Sequence, residues 1–571
     1  MRISSVHAAV AGLVLAVVSQ ASCVNDGPAC RAEDDGTALL QRAEAKADIE
    51  RDETSPLALE RIKMKDGAYM LGENPVTLLG ANYVMKGKPY FPPVDVVKRN
   101  AEQIAADFKA SDFVKNRDGK AVPCVRLGAM MEGMMPAKKL EFDAAWLQRL
   151  EETIEAFAHF GVYVFLDAHS DAWSTTNGGD GFPWWMGAYM QETAEHDESY
   201  IVSPEHPLEL AISEALANLF PQFGSEVPKV TTVENDTNPW LNFSVGSGVG
   251  DPRYMNVGNV NLRKNNNDWV WGTALFFTKQ VQNTYYRFFN SFRHPKDREN
   301  LFVPYVEFVK RLMKVWERHS NVVAVEIINE PPPSGLPCIE KARQSRTTLW
   351  SFYAHVLDEL DKDSDIHSDA AVSLQDIMSS VPGSNRLLDF LFRVGKMRCN
   401  EWEMSKLKSW AKAGRMSFSF HYFPGFPMPV GLEEMVTLAR DFASSLGPLP
   451  VFLSEFFAYD AQEVANTMVQ AVDSGSNAVT YWHYADKDFT GQSGWYKYNQ
   501  ATLAKGIPVN DAGEINWEAW NEYVKTVFDG TFFGADITGA DNGRTDVLRR
   551  LPEKAPPTPA KMRTVSLPNV N

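Results

Sequence analysis

One pattern recurs along this chain and restricts what it can fold into: a helix of amphipathic period followed at once by an unbroken apolar strand. In "LQRLEETIEAFAHFG" (residues 147–161) apolar side chains fall at Leu147, Leu150, Ile154 and Phe157, and the run ends on Gly161. "VYVFLDAH" (162–169) follows directly. A strand with no polar alternation is covered on both faces, as in a parallel sheet. "VPYVEFVKRLMKVWERHS" repeats the helix, with Val306, Val309, Leu312, Met313 and Trp316 on one face, and leads into "NVVAVEIINEPPP". Further strands of the same kind are "TLLGANYV", "AVPCVRLG", "MSFSFHYFPG", "PVFLSEFFAYD" and "NAVTYWHY". Roughly eight such strands predict an α/β fold, a (β/α)8 TIM barrel with long mouth loops near 185–270 and 377–412. A doubly wound sheet is the alternative; the Gly-rich phosphate loop that would favour it is missing from the sequence.

The segments outside this pattern have a different composition. "MRISSVHAAVAGLVLAVVSQASC" has one Arg, an apolar core from Ala8 to Val18 and small residues at Ser19, Ala21 and Ser22. This reads as a signal peptide over 1–22, hence a secreted or secretory-pathway protein; the run is short for a membrane anchor. Residues 23–55 read as an acidic, weakly apolar leader, 56–530 as the (β/α)8 domain, and 531–571 as a Pro-rich polar tail. The net charge of −17 argues against a nucleic-acid partner and offers no basic stripe for an anionic membrane. Cys23, Cys30, Cys124, Cys338 and Cys399 show neither metal-ligand spacing nor an evident disulfide framework. Sequons at Asn235 and Asn242 are compatible with a glycosylated surface loop.

In a barrel, polar groups at the C-terminal ends of strands converge on one face. Here those ends carry Asn82 and Lys86, Arg126, His169 and Asp171, Asn329 and Glu330, His421 and Tyr422, Glu455, and Trp482. So many polar groups ending apolar strands are costly unless they pair with one another. Glu330 ends the fourth strand and Glu455 the seventh, so the two carboxylates face each other across the mouth. A carboxylate pair flanking a bond is the equipment of glycoside hydrolysis. At a separation of about 5–5.5 Å, one attacks the anomeric carbon while the other gives and then takes a proton. A lone strand-end Glu is commonly a salt-bridge or capping residue; two at matching ends are not readily explained that way. Asn329 is suited to a sugar 2-hydroxyl, Arg126 to holding Glu455 ionised, and His421 or Tyr422 to tuning both carboxylates. Asp167 is the rival catalytic acid, although its place before the mouth reads as burial in the strand's own hydrogen bonds; Glu326, four residues deeper than Glu330, reads as an interior ion-pair partner.

The motifs "IINEP", "VRLG", "LDAHSDAWS", "FSFHYFP", "FLSEF" and "YWHY" resemble the strand-end motifs of clan A retaining glycoside hydrolases of family five. "LDAHSDAWSTTNGGDGFPWW" and "GANYVMK" resemble the endoglycoceramidases within that family, over about residues 60–525. The resemblance implies Glu330 as acid/base and Glu455 as nucleophile. Lys86, His169, Asp171, Asn329 and Trp482 would bind the sugar beside the scissile bond. It implies a hydrolase with no cofactor and no metal, acting on the glycan–ceramide bond of glycosphingolipids, with transient contact to a lipid surface. Two departures stand out: Phe423 where the family often has Tyr, and too little chain after the barrel for the β-sandwich many endoglycoceramidases append. "FPWWMGAYM" (182–190), with Trp184 and Trp185, and "FPGFPMPVGL" (423–432) read as apolar loops beside the mouth, a slot for lipid chains. A β-glucanase or mannanase, a glucosylceramidase-type exo-enzyme, a metal-dependent hydrolase and a non-catalytic carbohydrate- or lipid-binding barrel are the alternatives.

Overall fold

The computed structural model describes residues 59–85, 90–116, 120–171, 173–174, 180–193, 279–332, 339–376, 398–422, 431–456, 461–484 and 545–555. Lys86, the signal and leader segments, both sequons, Cys23, Cys30, Cys338 and the 423–430 part of the second apolar stretch lie outside the described residues.

Strands β1 (Lys63–Lys65) and β2 (Ala68–Leu71) form a hairpin that runs antiparallel into β3 (Asn74–Tyr83). Then follow β4 (Ala121–Gly128), β5 (Tyr163–Asp167), β6 (Val322–Glu326), β7 (Val372–Gln375), β8 (Met416–Tyr422), β9 (Val451–Phe456) and β10 (Ala478–Tyr481). β3 to β10 are parallel neighbours in chain order, and β10 returns to pair with β3, so eight strands close into a barrel. Between them run α1 (Val94–Ala110), α2 (Ala144–His159), α3 (Val303–Arg318), α4 (Ile339–Lys362), α5 (Glu401–Lys412), α6 (Leu432–Leu446) and α7 (Ala461–Asp473). This is the (β/α)8 architecture read from the repeat. Among the described residues, no helix is long and apolar enough to cross a membrane.

The apolar periodicity accounts for the packing. α2 buries Trp146, Leu150, Ile154 and Phe157, and its Asp143 cap accepts from the Ala145 and Trp146 N–H groups. All five residues of β5 are buried, and inside the barrel Phe165 stacks on Phe452 with ring centroids 4.3 Å apart. Tyr69 of the hairpin meets Phe165 edge-on at 5.7 Å. The barrel interior is thus packed with side chains, and polar chemistry is left to the mouth. Closure is tight at Gly80: a Cβ there would lie 1.6 Å from the Cys124 carbonyl oxygen.

The structure differs from the sequence expectation in several places, three of them in the barrel and the tail. β7 is a four-residue strand, Val372–Gln375, that the repeat did not reveal. Residues 401–412, expected within a mouth insertion, are the barrel helix α5, started by a capping box between Asn400 and Glu403. Part of the expected polar tail lies against the barrel: Val547, Leu548 and Leu551 are buried. There the Phe113 N–H donates to the Leu551 carbonyl at 3.2 Å, and Gln462 Nε2 donates to the Arg550 carbonyl at 3.3 Å.

Candidate active site

The mouth is organised around one fully buried cation. Arg126, near the end of β4, pairs through Nη2 with Asp167 at 2.9 Å and Glu326 at 2.7 Å, and through Nη1 with Glu455 at 3.5 Å. It also donates to Asn82 Oδ1 at 2.9 Å and to Asn329 Oδ1 at 2.7 Å. Burial works against the Arg126 charge, but the carboxylates of Asp167, Glu326 and Glu455 outweigh it and raise its pKa. Burial also pushes Glu326 up, and Arg126 only partly opposes that. Glu326 is therefore an interior ion-pair partner, as expected; Asp167, expected to be taken up by its strand's own hydrogen bonds, pairs instead with Arg126 and His169, and Arg126 lies within reach of Glu455.

A slip in the sheet brings Glu455 to its place. β8 and β9 pair Phe420 with Leu453 but His421 with Glu455, so Ser454 is an extra residue on β9. Bulges of this kind re-aim the side chain that follows them. The Ser454 carbonyl is taken up by Asn82 Nδ2 at 2.9 Å and by Thr480 Oγ1 at 2.5 Å. His421 Nδ1 lies 3.9 Å from Glu455 Oε2 and 2.9 Å from Glu330 Oε1.

Glu330 itself stands four residues beyond β6, not at its last position. The intervening chain is tied on both sides. Ile327 N–H donates to the Ser373 carbonyl at 3.1 Å and Asn329 N–H to the Ala168 carbonyl at 3.2 Å, while the Tyr305 hydroxyl donates to the Ile327 carbonyl. Glu330 has a φ of +41°, a left-handed conformation that costs a non-glycine residue about 1–3 kcal/mol and persists only where its surroundings enforce it. Its N–H donates to Gln375 Oε1, and the buried Pro331 and Pro332 follow.

The chemistry of this trio follows from burial. Burial drops the His421 pKa to about 4, against the attraction of Glu455, so the ring is neutral near neutral pH. A neutral imidazole accepts from a protonated Glu330, or donates to its carboxylate, with the same geometry. Carboxylate oxygens of Glu330 and Glu455 and a ring nitrogen of His421 lie within 4.8 Å of one another. Both carboxyl groups can therefore reach one glycosidic bond.

Beside this pair is a second polar group. His169 Nδ1 contacts Asp167 Oδ2 at 2.7 Å, and its Nε2 lies 3.4 Å from Asp171 Oδ2. Its ring stacks on Trp482 at 6.0 Å. Asn329 Nδ2 donates to the Ser170 carbonyl at 3.0 Å and to Asp171 Oδ1 at 3.3 Å. Asp171 exchanges backbone hydrogen bonds with Asp180, and ligand-type atoms of His169, Asp171 and Asp180 also come within 4.8 Å of one another. Gly181 permits this crossing: its φ is +100°, and a Cβ would sit 2.3 Å from the His169 carbonyl.

Arg126, His169, Asp171, Asn329, Glu330, His421 and Glu455 are thus brought into one connected group, with Trp482 stacked against it. Tyr422 ends β8 opposite Phe456. Alternation turns it to the other face from His421, and burial pushes its hydroxyl up to about 12. Trp184 and Trp185 do not sit on a loop. They open a helix, Trp184–Glu192, and their indole N–H groups donate to the Pro136 and Met135 carbonyls at 3.1 and 2.9 Å. Gln375 was not foreseen; its only sequence signal is a polar residue closing the short run "AVSLQ".

Residues 91–220 match the family model Cellulase (glycosyl hydrolase family 5). The endoglycoceramidase of Cyanea nozakii is 30% identical over 106 residues, 19% of this chain and 20% of that protein. Endoglycoceramidase I of Rhodococcus hoagii (strain 103S) is 32% identical over 122 residues, 21% of this chain and 22% of the relative. The chain spans about a fifth of the length of these curated relatives in the matches. A crystal structure of an endogalactoceramidase aligns over 82% of this chain and 85% of its own, at 16% identity and a TM-score of 0.46. Residues 91–220 are thus similar to glycosyl hydrolase family 5, and the resemblance to endoglycoceramidases read from the motifs is found by direct comparison.

Proposed function

We propose that this protein is a secreted retaining endo-β-glycosidase that hydrolyses the bond between glycan and ceramide in glycosphingolipids. The observation that carries the reading is the approach of Glu330 and Glu455, with His421, to within 4.8 Å at the barrel mouth. Glu455, paired with Arg126, attacks the anomeric carbon as Glu330 gives its proton to the glycosidic oxygen. The bond from that carbon to oxygen breaks, and ceramide leaves as its alcohol. Water then attacks the same carbon and gives its proton to the Glu330 carboxylate, while the bond to Glu455 breaks. Asn329, Asp171, His169, Trp482 and Lys86 hold the sugar. The ceramide leaving group is supported by the endoglycoceramidase relatives; the cellulase family model favours a soluble β-glucan as the second reading.

The test is a panel of glycosphingolipids, aryl glycosides and soluble β-glucans, with the released fragments identified. Intact glycan plus free ceramide is expected, and efficient glucan cleavage without ceramide release would leave the glucanase reading. Glu455→Ala abolishes turnover, and azide rescues Glu330→Ala on substrates with good leaving groups. Full activity of either variant, or an initial α-anomer by NMR from a β-linked substrate, overturns the mechanism.

A further inference from the structure

Glu330 adopts a backbone conformation that a glutamate rarely holds, and its N–H donates to the side-chain oxygen of Gln375. The orientation of that amide is fixed by chemistry, since its NH2 end could not face another donor. Gln375 is fully buried, and its Nε2 finds no partner among the described residues. A buried amide left half unsatisfied calls for an explanation that packing alone does not supply.

The end of β7 that carries Gln375 is itself held from one face of α4. The Tyr353 hydroxyl donates to the Gln375 carbonyl at 2.7 Å. The next residue, Asp376, receives Arg346 Nε at 3.1 Å, Arg346 Nη2 at 2.9 Å and Trp350 Nε1 at 2.5 Å. Arg346, Trp350 and Tyr353 follow the i, i+4, i+7 spacing of a single helix face. A rigid line thus runs from α4 through the β7 end to the Glu330 N–H. Without its acceptor, Glu330 relaxes toward an ordinary backbone region, which swings its carboxylate away from His421 and from the glycosidic oxygen.

We propose that Gln375 is the positioning residue for the acid/base, fixing the left-handed backbone that aims Glu330 at the leaving group. The proposal rests on the assignment of Glu330 as acid/base. The predicted signature is dependence on the leaving group: a misplaced acid matters for an alkyl alcohol, and hardly for dinitrophenolate, which departs without a proton.

Gln375→Met keeps the side-chain length and removes the acceptor. It is compared with wild type on a matched pair of glycosides of one sugar, one alkyl and one dinitrophenyl. kcat/KM is expected to fall about 100-fold on the alkyl glycoside and at most about threefold on the dinitrophenyl one, with azide raising kcat on the latter. Equal losses on both substrates, or no loss on either, overturn the proposal. Should Gln375→Met not fold by circular dichroism, Tyr353→Phe, which frees the Gln375 carbonyl, shows the same leaving-group dependence at smaller amplitude, or the proposal falls. Glu330→Ala on the same pair separates the two levels. If it shows the split and azide rescue while the Gln375 and Tyr353 variants do not, the acid/base assignment stands and the positioning role fails. If Glu330→Ala lacks the split, the assignment itself fails.

Discussion

Replacing Arg126 with Met strands three carboxylates in the barrel. The cation lies 2.9 Å from Asp167, 2.7 Å from Glu326 and 3.5 Å from Glu455, with its side chain and those of Asp167 and Glu326 fully buried. Removing one side of a buried charge cluster costs about 3–5 kcal/mol, most of it the desolvation that the survivors no longer recover. The loss carries a pH signature. Glu326 is raised by burial even with Arg126 present; without the cation it rises further, so the folded variant binds a proton that the unfolded chain releases. A folded state with the greater proton affinity loses stability as pH rises from the unfolded carboxylate range toward the folded pKa. The deficit against wild type is therefore larger at about pH 7.5 than at about pH 5. Urea unfolding followed by tryptophan fluorescence at both pH values measures it. Adding Glu326→Gln removes one stranded charge and recovers part of the deficit at the higher pH, a coupling expected of groups in contact. A deficit below about 1 kcal/mol, or one equal at both pH values, would refute the reasoning that Arg126 offsets the burial of these carboxyl groups.

Burial lowers the His421 pKa to about 4 from 6.5, so the unfolded chain binds the proton first and His421 costs stability as pH falls from about 6.5 toward 4. His421→Gln should flatten that part of the stability–pH curve, and an NMR titration of wild type should show the ring neutral above about pH 5. Trp184→Ala and Trp185→Ala should lower kcat/KM on glycosylceramides more than on aryl glycosides, and equal losses would assign these side chains to the fold. Trp185→Phe loses the hydrogen bond to the Met135 carbonyl together with part of the indole's packing against the core, a combined cost of at least about 1 kcal/mol measured by denaturation. Leu548→Ala in the segment against α1 and α7 should cost about 2–5 kcal/mol by the same assay, as for a core leucine; a change within about 0.5 kcal/mol would mean the segment does not support the barrel.

What could be read from the sequence, and what could not, divides along the range of the interactions involved. The barrel was legible because α2 and α3 carry an apolar face and run straight into strands buried on both sides, a local signal repeated many times. β7 escaped because "VSLQ" alternates apolar and polar residues over only four positions instead of running unbroken like β5. The helix at Trp184–Glu192 was hidden differently: "FPWWMGAYM" is apolar all round and shows no face. In the tail, a polar average masked Val547, Leu548 and Leu551. At the site, residue types were legible and their aim was not. "NEPPP" and "LSEF" name two carboxylates at strand ends, but His421 meets Glu455 only because β9 carries the extra residue Ser454, and no local pattern marks that slip. Likewise the positive φ of Glu330 arises only after the chain leaves β6 between ties to Ser373 and Ala168. A buried N–H in that conformation then requires an acceptor from the protein, here from a neighbouring strand. Gln375 supplies it from 45 residues away, and such a partner becomes visible only once the strands are in register.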